Sequence, residues 1–192
     1  MTTPLNAWVN IAAHWSGAND KHSDRGGPDA ILHLAEHLPW LIDAGDAFLD
    51  LGCGSGGVME HIRAAGKNVY GVTYQESEAE ACRTKGLEVS CGDLHTLEPL
   101  GDLRWDGALL WDVIEHCVAP LVVLRNAHAL LKPGGRLLIF VPGQRWNRSW
   151  YHVLVPTQTQ MRHLLELAGF TQTTCIDYSS EDEGQAVYKV TK

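Results

Sequence analysis

Residues 47–57 constrain the fold of this chain more than any other segment. They read Ala-Phe-Leu-Asp-Leu-Gly-Cys-Gly-Ser-Gly-Gly, so a short apolar run that contains Asp50 breaks into glycines. Residues 58–65 follow with the pattern of a helix. Glycine tolerates a positive φ, and because it has no Cβ it lets a ligand approach the main chain closely. A buried strand, a glycine turn and a helix in this order predict an α/β fold with a nucleotide-type cofactor at the turn.

The glycines alone do not identify that cofactor. Gly52, Gly54 and Gly57 have the Gly-x-Gly-x-x-Gly spacing that a nicotinamide dinucleotide site also shows. The choice of cofactor therefore depends on Asp50 and on the elements that follow the turn.

Strand-like and helical segments alternate along the chain. The pattern predicts strands at 47–51, 68–73, 87–91, 107–111, 136–141, 171–178 and 186–190, and helices at 28–42, 57–65, 76–85, 120–131 and 157–168. Lys132-Pro133-Gly134-Gly135 is typical of a helix stop, and Thr157 and Gly169 are typical helix caps. The alternation predicts a doubly wound, mainly parallel sheet of seven strands, with an antiparallel hairpin at the C-terminal edge.

Composition excludes several classes of function. The chain has 192 residues, of which 45% are hydrophobic and 20% charged, as in one ordinary globular domain. A net charge of −8 argues against tight sequence-independent binding to nucleic acid. The five cysteines form no Cys-x-x-Cys pair, which indicates reduced thiols and a cytoplasmic protein. No apolar run approaches the roughly 18 residues of a membrane span, and the first residues lack the features of a signal peptide.

Four segments, in order, resemble the motifs of one family. Leu49–Gly56 is similar to its first motif, and Cys91–Leu94 to the adenine-contacting turn after its third strand. Trp105–His116 is similar to its fourth-strand motif, and Leu130–Gly135 to the turn before its fifth strand. With these motifs the chain resembles the class I S-adenosylmethionine-dependent methyltransferases, in the branch that acts on small molecules. The resemblance implies a methyltransferase core at 46–192 and an N-terminal helical lid segment of the same domain at 1–45.

The resemblance implies S-adenosylmethionine as cofactor and S-adenosylhomocysteine as its product. The glycine turn would hold the methionine end, Asp50 would accept a hydrogen bond from the ammonium group, and Asp93 would bind the adenine amine. Asp50 and Asp93 have an alternative role as carboxylates that cap their own turns. The implied cofactor contacts are Asp50, Gly52, Cys53, Gly54, Gly56, Thr73, Gln75, Glu78, Asp93, Leu94, Trp111 and Asp112.

The ribose position departs from the usual pattern. An acidic residue about 20 positions after the glycine turn usually binds the ribose hydroxyls, but this chain has Thr73 there. We expect Thr73 to lie near the ribose with help from Gln75, Glu76 or Glu78. The alternative for the two glutamates is a solvated acidic helix start, which the helix dipole favours.

Two histidines are candidates for general-base catalysis on a methyl acceptor. His116 follows the fourth strand and His152 follows the fifth, at the sheet edge where such folds bind ligands. The alternatives are that His116 packs beside the cofactor and that His152 is hydrogen-bonded to backbone. Aromatic and basic residues suggest a pocket for a flat or anionic acceptor, with core packing as the alternative: Trp15, Arg145, Trp146, Trp150 and Tyr151.

The sequence therefore predicts methyl transfer to a small molecule, with an oxygen or nitrogen acceptor favoured. A cofactor-binding regulator or inactive partner subunit is the main alternative. Nucleic-acid and protein methylation are disfavoured; Asp112-Val113-Ile114-Glu115 is not the Asn/Asp-Pro-Pro-aromatic motif of amino-methylating enzymes. No metal is expected, because histidines such as His14, His22 and His33 lack tight ligand spacing. We expect a monomer or homodimer without nucleic-acid or membrane partners.

Overall fold

A computed structural model describes residues 28–96, 100, 104–143, 152–177 and 186–192. The helices are α1 (Pro28–Ile42), α2 (Gly57–Ala64), α3 (Glu76–Thr84), α4 (Pro120–Leu130) and α5 (Gln158–Ala168). The strands are β1 (Ala47–Leu51), β2 (Asn68–Thr73), β3 (Glu88–Cys91), β4 (Trp105–Trp111), β5 (Leu131–Val141), β6 (Gln172–Asp177) and β7 (Ala186–Thr191), with a 3₁₀ turn at Ile114–His116. None of the described helices has the length and apolar character needed to cross a membrane.

The described strands form one seven-stranded sheet in the order β3-β2-β1-β4-β5-β7-β6. Strands β1 to β5 pair in parallel, whereas β7 is antiparallel to both β5 and β6. The predicted fold class, including the antiparallel C-terminal hairpin, is therefore confirmed. From β1 the chain moves outward to β2 and β3, then returns to place β4 on the other side of β1. The carboxyl ends of β1 and β4 consequently flank a topological switch point, where folds of this kind bind ligands.

Two apolar clusters cover the two faces of the sheet. On one face Leu34, Leu38 and Leu41 of α1 join a buried cluster that contains Phe48 of β1. On the other face α4 and α5 pack together in a larger cluster that contains Leu49 and Leu51. Because β1 is buried on both faces, apolar side chains occur on both sides of the strand and do not alternate with exposed polar ones. The division into segments 1–45 and 46–192 stays a prediction.

The main difference from the predicted boundaries lies at Lys132–Gly135. The predicted turn is part of β5, which begins at Leu131 instead of Arg136, and β4 begins at Trp105 instead of Gly107. Trp105 pairs with Leu131 and Gly107 pairs with Arg136, so two steps along β4 correspond to five along β5. The extra residues bulge out of the ladder, and Gly134 supplies the positive φ of 76° that they need. Propensity alone does not reveal this pairing.

The caps of α5 confirm the predicted limits of that helix. The Thr157 hydroxyl accepts a hydrogen bond from the Gln160 amide, and the Gln160 side chain accepts one from the Thr157 amide. Gly169 ends the helix with a φ of 102°. Both residues act through local chemistry, which is why the sequence alone locates them.

Asp106 ties together three segments at the amino edge of the sheet. Its Oδ2 accepts hydrogen bonds from the amides of Asp46 and Ala47, both at 3.0 Å, and its Oδ1 accepts one from Lys132 Nζ at 2.6 Å. Burial raises the pKa of Asp106, but these donors outweigh burial and hold it below its ordinary value. The charged carboxylate therefore joins the start of β1 to the β5 bulge.

We expect Asp106→Asn to lower the free energy of unfolding by about 1–3 kcal/mol at pH 7, because hydrogen bonds to a charged group are lost. The lowered folded-state pKa means that this stabilisation is present above the unfolded pKa of about 3.9 and disappears as the pH falls through the folded value. Urea unfolding across this pH range measures the difference. Asp43→Asn, at an 81% exposed carboxylate, is the control and should change stability little. A difference that does not depend on pH would contradict the prediction.

Candidate active site

The glycine turn lies directly after β1, at the switch point. The amides of Gly52 and Cys53 donate to the Val72 carbonyl at 2.7 and 2.8 Å, which ties the turn to β2. Gly52, Gly54 and Gly56 have φ values of 82°, 50° and 84°. L-residues rarely adopt such angles, so alternate positions of the turn require glycine for its backbone conformation.

Packing adds a second requirement for glycine in this turn. A Cβ on Gly52 would lie 2.8 Å from Val113 Cγ2, and a Cβ on Gly56 would lie 2.5 Å from Leu87 Cδ1. The Gly54 carbonyl accepts hydrogen bonds from the buried thiols of Cys53 and Cys82 at 3.6 and 3.2 Å. These contacts hold the turn against the core. The main chain of the turn is therefore preformed for a ligand that approaches from the other side.

Asp50 lies immediately before the turn and is fully buried in β1. Its register partners are Gly71 of β2 and Leu109 of β4, so it occupies the centre of the sheet. Burial of an ionised carboxylate is costly unless hydrogen bonds or a positive charge compensate it. A carboxylate in this place suits a ligand that carries an ammonium group.

The structure distinguishes among the three polar residues expected near the ribose. The Thr73 hydroxyl, at the end of β2, donates a hydrogen bond to the Glu78 carboxylate. Glu76 instead forms an exposed ion pair with Arg83, with 2.6 Å between Oε1 and Nη1. Gln75 precedes α3, and its side chain does not cap that helix. Glu78 is therefore the carboxylate that the fold places against Thr73.

The turn after β3 is braced by residues that sequence reasoning missed. Asp93 Oδ1 accepts a hydrogen bond from the His95 amide at 2.9 Å and lies 2.7 Å from His95 Nδ1. From α4, Asn126 Nδ2 donates to the carbonyls of Leu94 and His95 at 2.9 and 3.0 Å. These contacts fix the orientation of Asp93. The near Asp-x-His spacing is a sequence signal for the first contact, whereas Asn126 comes close only through the fold.

At the end of β4, the side chain of Trp111 packs in the core, and the backbone of Asp112 has an unusual conformation. Trp111 is buried and stacks on Phe140, with ring centroids 4.8 Å apart and an interplanar angle of 16°, so its indole belongs to the core. Asp112 has a φ of 52°, and it is the one non-glycine residue with positive φ in the described part of the chain. Strained backbone of this kind is concentrated at functional sites.

The two candidate histidines come together beyond β4. The rings of His116 and His152 are edge to face, with centroids 5.0 Å apart and an angle of 72°. Glu115, which sequence reasoning did not select, lies beside them: it is 1% exposed, and its Oε1 is 3.9 Å from His116 Nε2. The amides of Val153 and Leu154 donate to the Glu115 carbonyl at 2.8 and 3.2 Å, which fixes the two segments together.

The predicted pocket residues Trp15, Arg145, Trp146, Trp150 and Tyr151 lie outside the described residues. The site that can be described is therefore the cofactor side, from Asp50 to Asp93, and the cluster of Glu115, His116 and His152.

A family model described as a methyltransferase domain matches residues 28–182, most of the chain. The chain belongs to this family. That membership confirms the resemblance to class I S-adenosylmethionine-dependent methyltransferases, and with it the cofactor that the family uses.

Named relatives within the methyltransferases differ in the atom they methylate. The chain is 35% identical over 161 residues to 24-methylenesterol C-methyltransferase 2 of Oryza sativa subsp. japonica, covering 78% of this chain and 41% of that protein. It is 33% identical over 171 residues to the ubiquinone biosynthesis O-methyltransferase of Bordetella avium, covering 83% of this chain and 68% of that protein. The chain spans less than two thirds of the length of several curated relatives that it matches.

A solved methyltransferase structure has the same fold. The 1,6-didemethyltoxoflavin-N1-methyltransferase of Burkholderia thailandensis, solved with 1,6-didemethyltoxoflavin and S-adenosylhomocysteine, superposes with a TM-score of 0.71. The match covers 100% of this chain and 90% of that chain at 22% identity. At this identity the likeness concerns the fold.

The turn of this methyltransferase domain can be tested by comparing Gly52→Ala with Gly66→Ala. Gly66 also has a positive φ, 77°, but a Cβ there meets nothing within 4 Å. It therefore measures backbone strain alone, about 1–2 kcal/mol. We expect Gly52→Ala to add about 1–3 kcal/mol from the contact with Val113. Urea unfolding gives both values, and equal losses would show that the turn is less closely packed than described.

Proposed function

We propose that this chain is a cytoplasmic enzyme that transfers a methyl group from S-adenosylmethionine to an oxygen or nitrogen of a small molecule. The observation that carries the proposal is the convergence of the left-handed glycine turn, the buried Asp50 and the His116–His152 pair at the carboxyl edge of one sheet. The cofactor, with its cationic head, ribose and base, would lie along one part of this edge, and the separate acceptor molecule would lie beside the two histidines.

The residues of the cofactor side fit the parts of that ligand. The glycine turn offers close main-chain approach for the methionine portion, and Asp50 offers a carboxylate for its ammonium group. We assign the ribose hydroxyls to Glu78, held by Thr73, and the adenine amine to Asp93, held by His95. The remaining contacts of this proposal come from the backbone of the turn and of the β3 and β4 ends: Cys53, Leu94, Trp111 and Asp112.

When bound, the cofactor supplies an electrophilic methyl group on a sulfonium. The task of the chain is then to hold an acceptor atom in line and to help remove its proton. We assign the second task to His116 and His152. The acceptor side also has apolar surface beside His152, because Val153 and Leu154 are 49% and 42% exposed. This favours an acceptor that joins a hydroxyl or amine to an apolar body.

The names of the relatives support a small-molecule acceptor. They refer to a methylenesterol, to ubiquinone biosynthesis and to a toxoflavin precursor. Of the two favoured acceptor atoms we choose oxygen, because a hydroxyl needs its proton removed and the neighbouring imidazoles of His116 and His152 support such a step.

Cofactor binding tests the assignment of Glu78. Wild-type protein should bind S-adenosylhomocysteine in a calorimetric titration, and Glu78→Gln should weaken binding about tenfold or more, because a hydrogen bond to a charged group is worth about 1.5–3 kcal/mol. Glu76→Gln is the matched control, since Glu76 is in the same helix turn but pairs with Arg83. Equal affinities of the two variants would remove Glu78 from the site.

Methyl transfer tests the function itself. With labelled S-adenosylmethionine, the label should move to a subset of phenols, hydroxy acids and amines offered as acceptors, with methyl ethers as the main products. The same assay with protein and RNA fractions should give no transfer. Tight binding of S-adenosylhomocysteine without transfer to any small molecule would instead favour a cofactor-binding regulator.

A further inference from the structure

We propose that Glu115, His116 and His152 form a binding site for a divalent cation of the zinc type, which binds and activates the acceptor hydroxyl. The inference rests on the proposed function and specifies how the site handles the proton of the acceptor. It also revises the expectation that the chain has no metal site, which considered ligand spacing along the sequence only.

The donor atoms are close enough to share one ion. One carboxylate oxygen and one nitrogen from each imidazole all lie within 4.8 Å of one another. Two imidazoles and a carboxylate form a donor set that binds zinc and related transition cations in preference to calcium or magnesium. Three protein ligands leave a coordination position open, which is the arrangement of catalytic zinc sites.

The backbone brings these donors together from distant parts of the sequence. Glu115 and His116 lie in the 3₁₀ turn after β4, where the His116 amide donates to the Val113 carbonyl at 3.0 Å. His152 precedes two residues whose amides both donate to the Glu115 carbonyl. The position of His152 relative to Glu115 is therefore set by main-chain hydrogen bonds and does not depend on the side-chain cluster itself.

The charge of the cluster is compatible with a bound cation. The Glu115 carboxylate is 1% exposed, and a buried anion is stabilised by a paired or coordinated cation. One carboxylate, two neutral imidazoles and a divalent ion leave a net charge of +1. A deprotonated acceptor oxygen in the open position would neutralise it.

The chemical step balances without a further reactant. The acceptor hydroxyl binds the cation, its pKa falls, and its proton passes to solvent. The oxygen then forms a bond to the methyl carbon while the carbon–sulfur bond breaks, and its electron pair stays on sulfur. The sulfonium becomes a neutral thioether and the acceptor becomes a methyl ether. In this role His116 and His152 help to remove the proton through the cation that they hold, which replaces direct proton transfer to either ring.

Metal binding can be measured without activity. Metal-free, reduced protein should bind one equivalent of Zn²⁺ in calorimetry, and Co²⁺ should give visible absorption without the charge-transfer band of a thiolate ligand. The absence of a thiolate band excludes binding of the metal by cysteine, since the described residues include five free cysteines. Mg²⁺ should not compete.

Variants locate the site. His152→Ala should weaken Zn²⁺ binding at least as much as the loss of an outer-shell partner does in known sites, about 10- to 100-fold. Glu115→Gln should do the same where it folds, and His163→Ala, at a 70% exposed histidine on α5, should bind like wild type. Absence of Zn²⁺ binding, a thiolate band, or unchanged affinity in His152→Ala would overturn the proposal.

Titration with S-adenosylhomocysteine separates this inference from the proposed function. Each variant should retain cofactor affinity, because Glu115, His116 and His152 are on the acceptor side. Intact cofactor binding with no Zn²⁺ binding would reject the metal site alone. Zn²⁺ binding without cofactor binding would support the metal site and reject the methyltransferase proposal.

Discussion

The reversal of strand order beside β1 is the constraint on which the rest of the site depends. Because β2 and β4 lie on opposite sides of β1, the chain leaves β1 and β4 in opposite directions, and folds of this kind bind their ligands at that position. The glycine turn lies on one side of it and the 3₁₀ turn with Glu115 on the other. Val113 connects the two, since its side chain is the nearest contact of any Cβ placed on Gly52.

Acidic groups are concentrated along this edge, and each is held differently. Asp50 is fully buried in the sheet, Asp93 is held by His95, and Glu78 is held by Thr73. These arrangements fix carboxylates in place before a ligand arrives, so little conformational entropy is lost on binding. A cationic donor with hydroxyls and an amine matches such a surface.

Predictability differed along the chain for physical reasons. The helix α5 could be predicted to its ends because Thr157 and Gly169 act through bonds to their own neighbours. The start of β5 could not, because the bulge at 132–135 depends on pairing with β4. Similarly, Trp111 was predicted as a cofactor contact from its motif position, but the side on which its indole packs is decided by Phe140.

The sequence by itself determined the family, the order of elements and the glycine turn, because these are written in local patterns that a few adjacent residues carry. Only the tertiary structure decided which partner each polar group takes. Glu78 meets Thr73 while Glu76 meets Arg83, although both lie in the first turn of one helix. His116 and His152 meet each other and Glu115 because main-chain hydrogen bonds join segments that sequence spacing keeps apart. Spacing along a chain does not encode such distances; the packing of the sheet does.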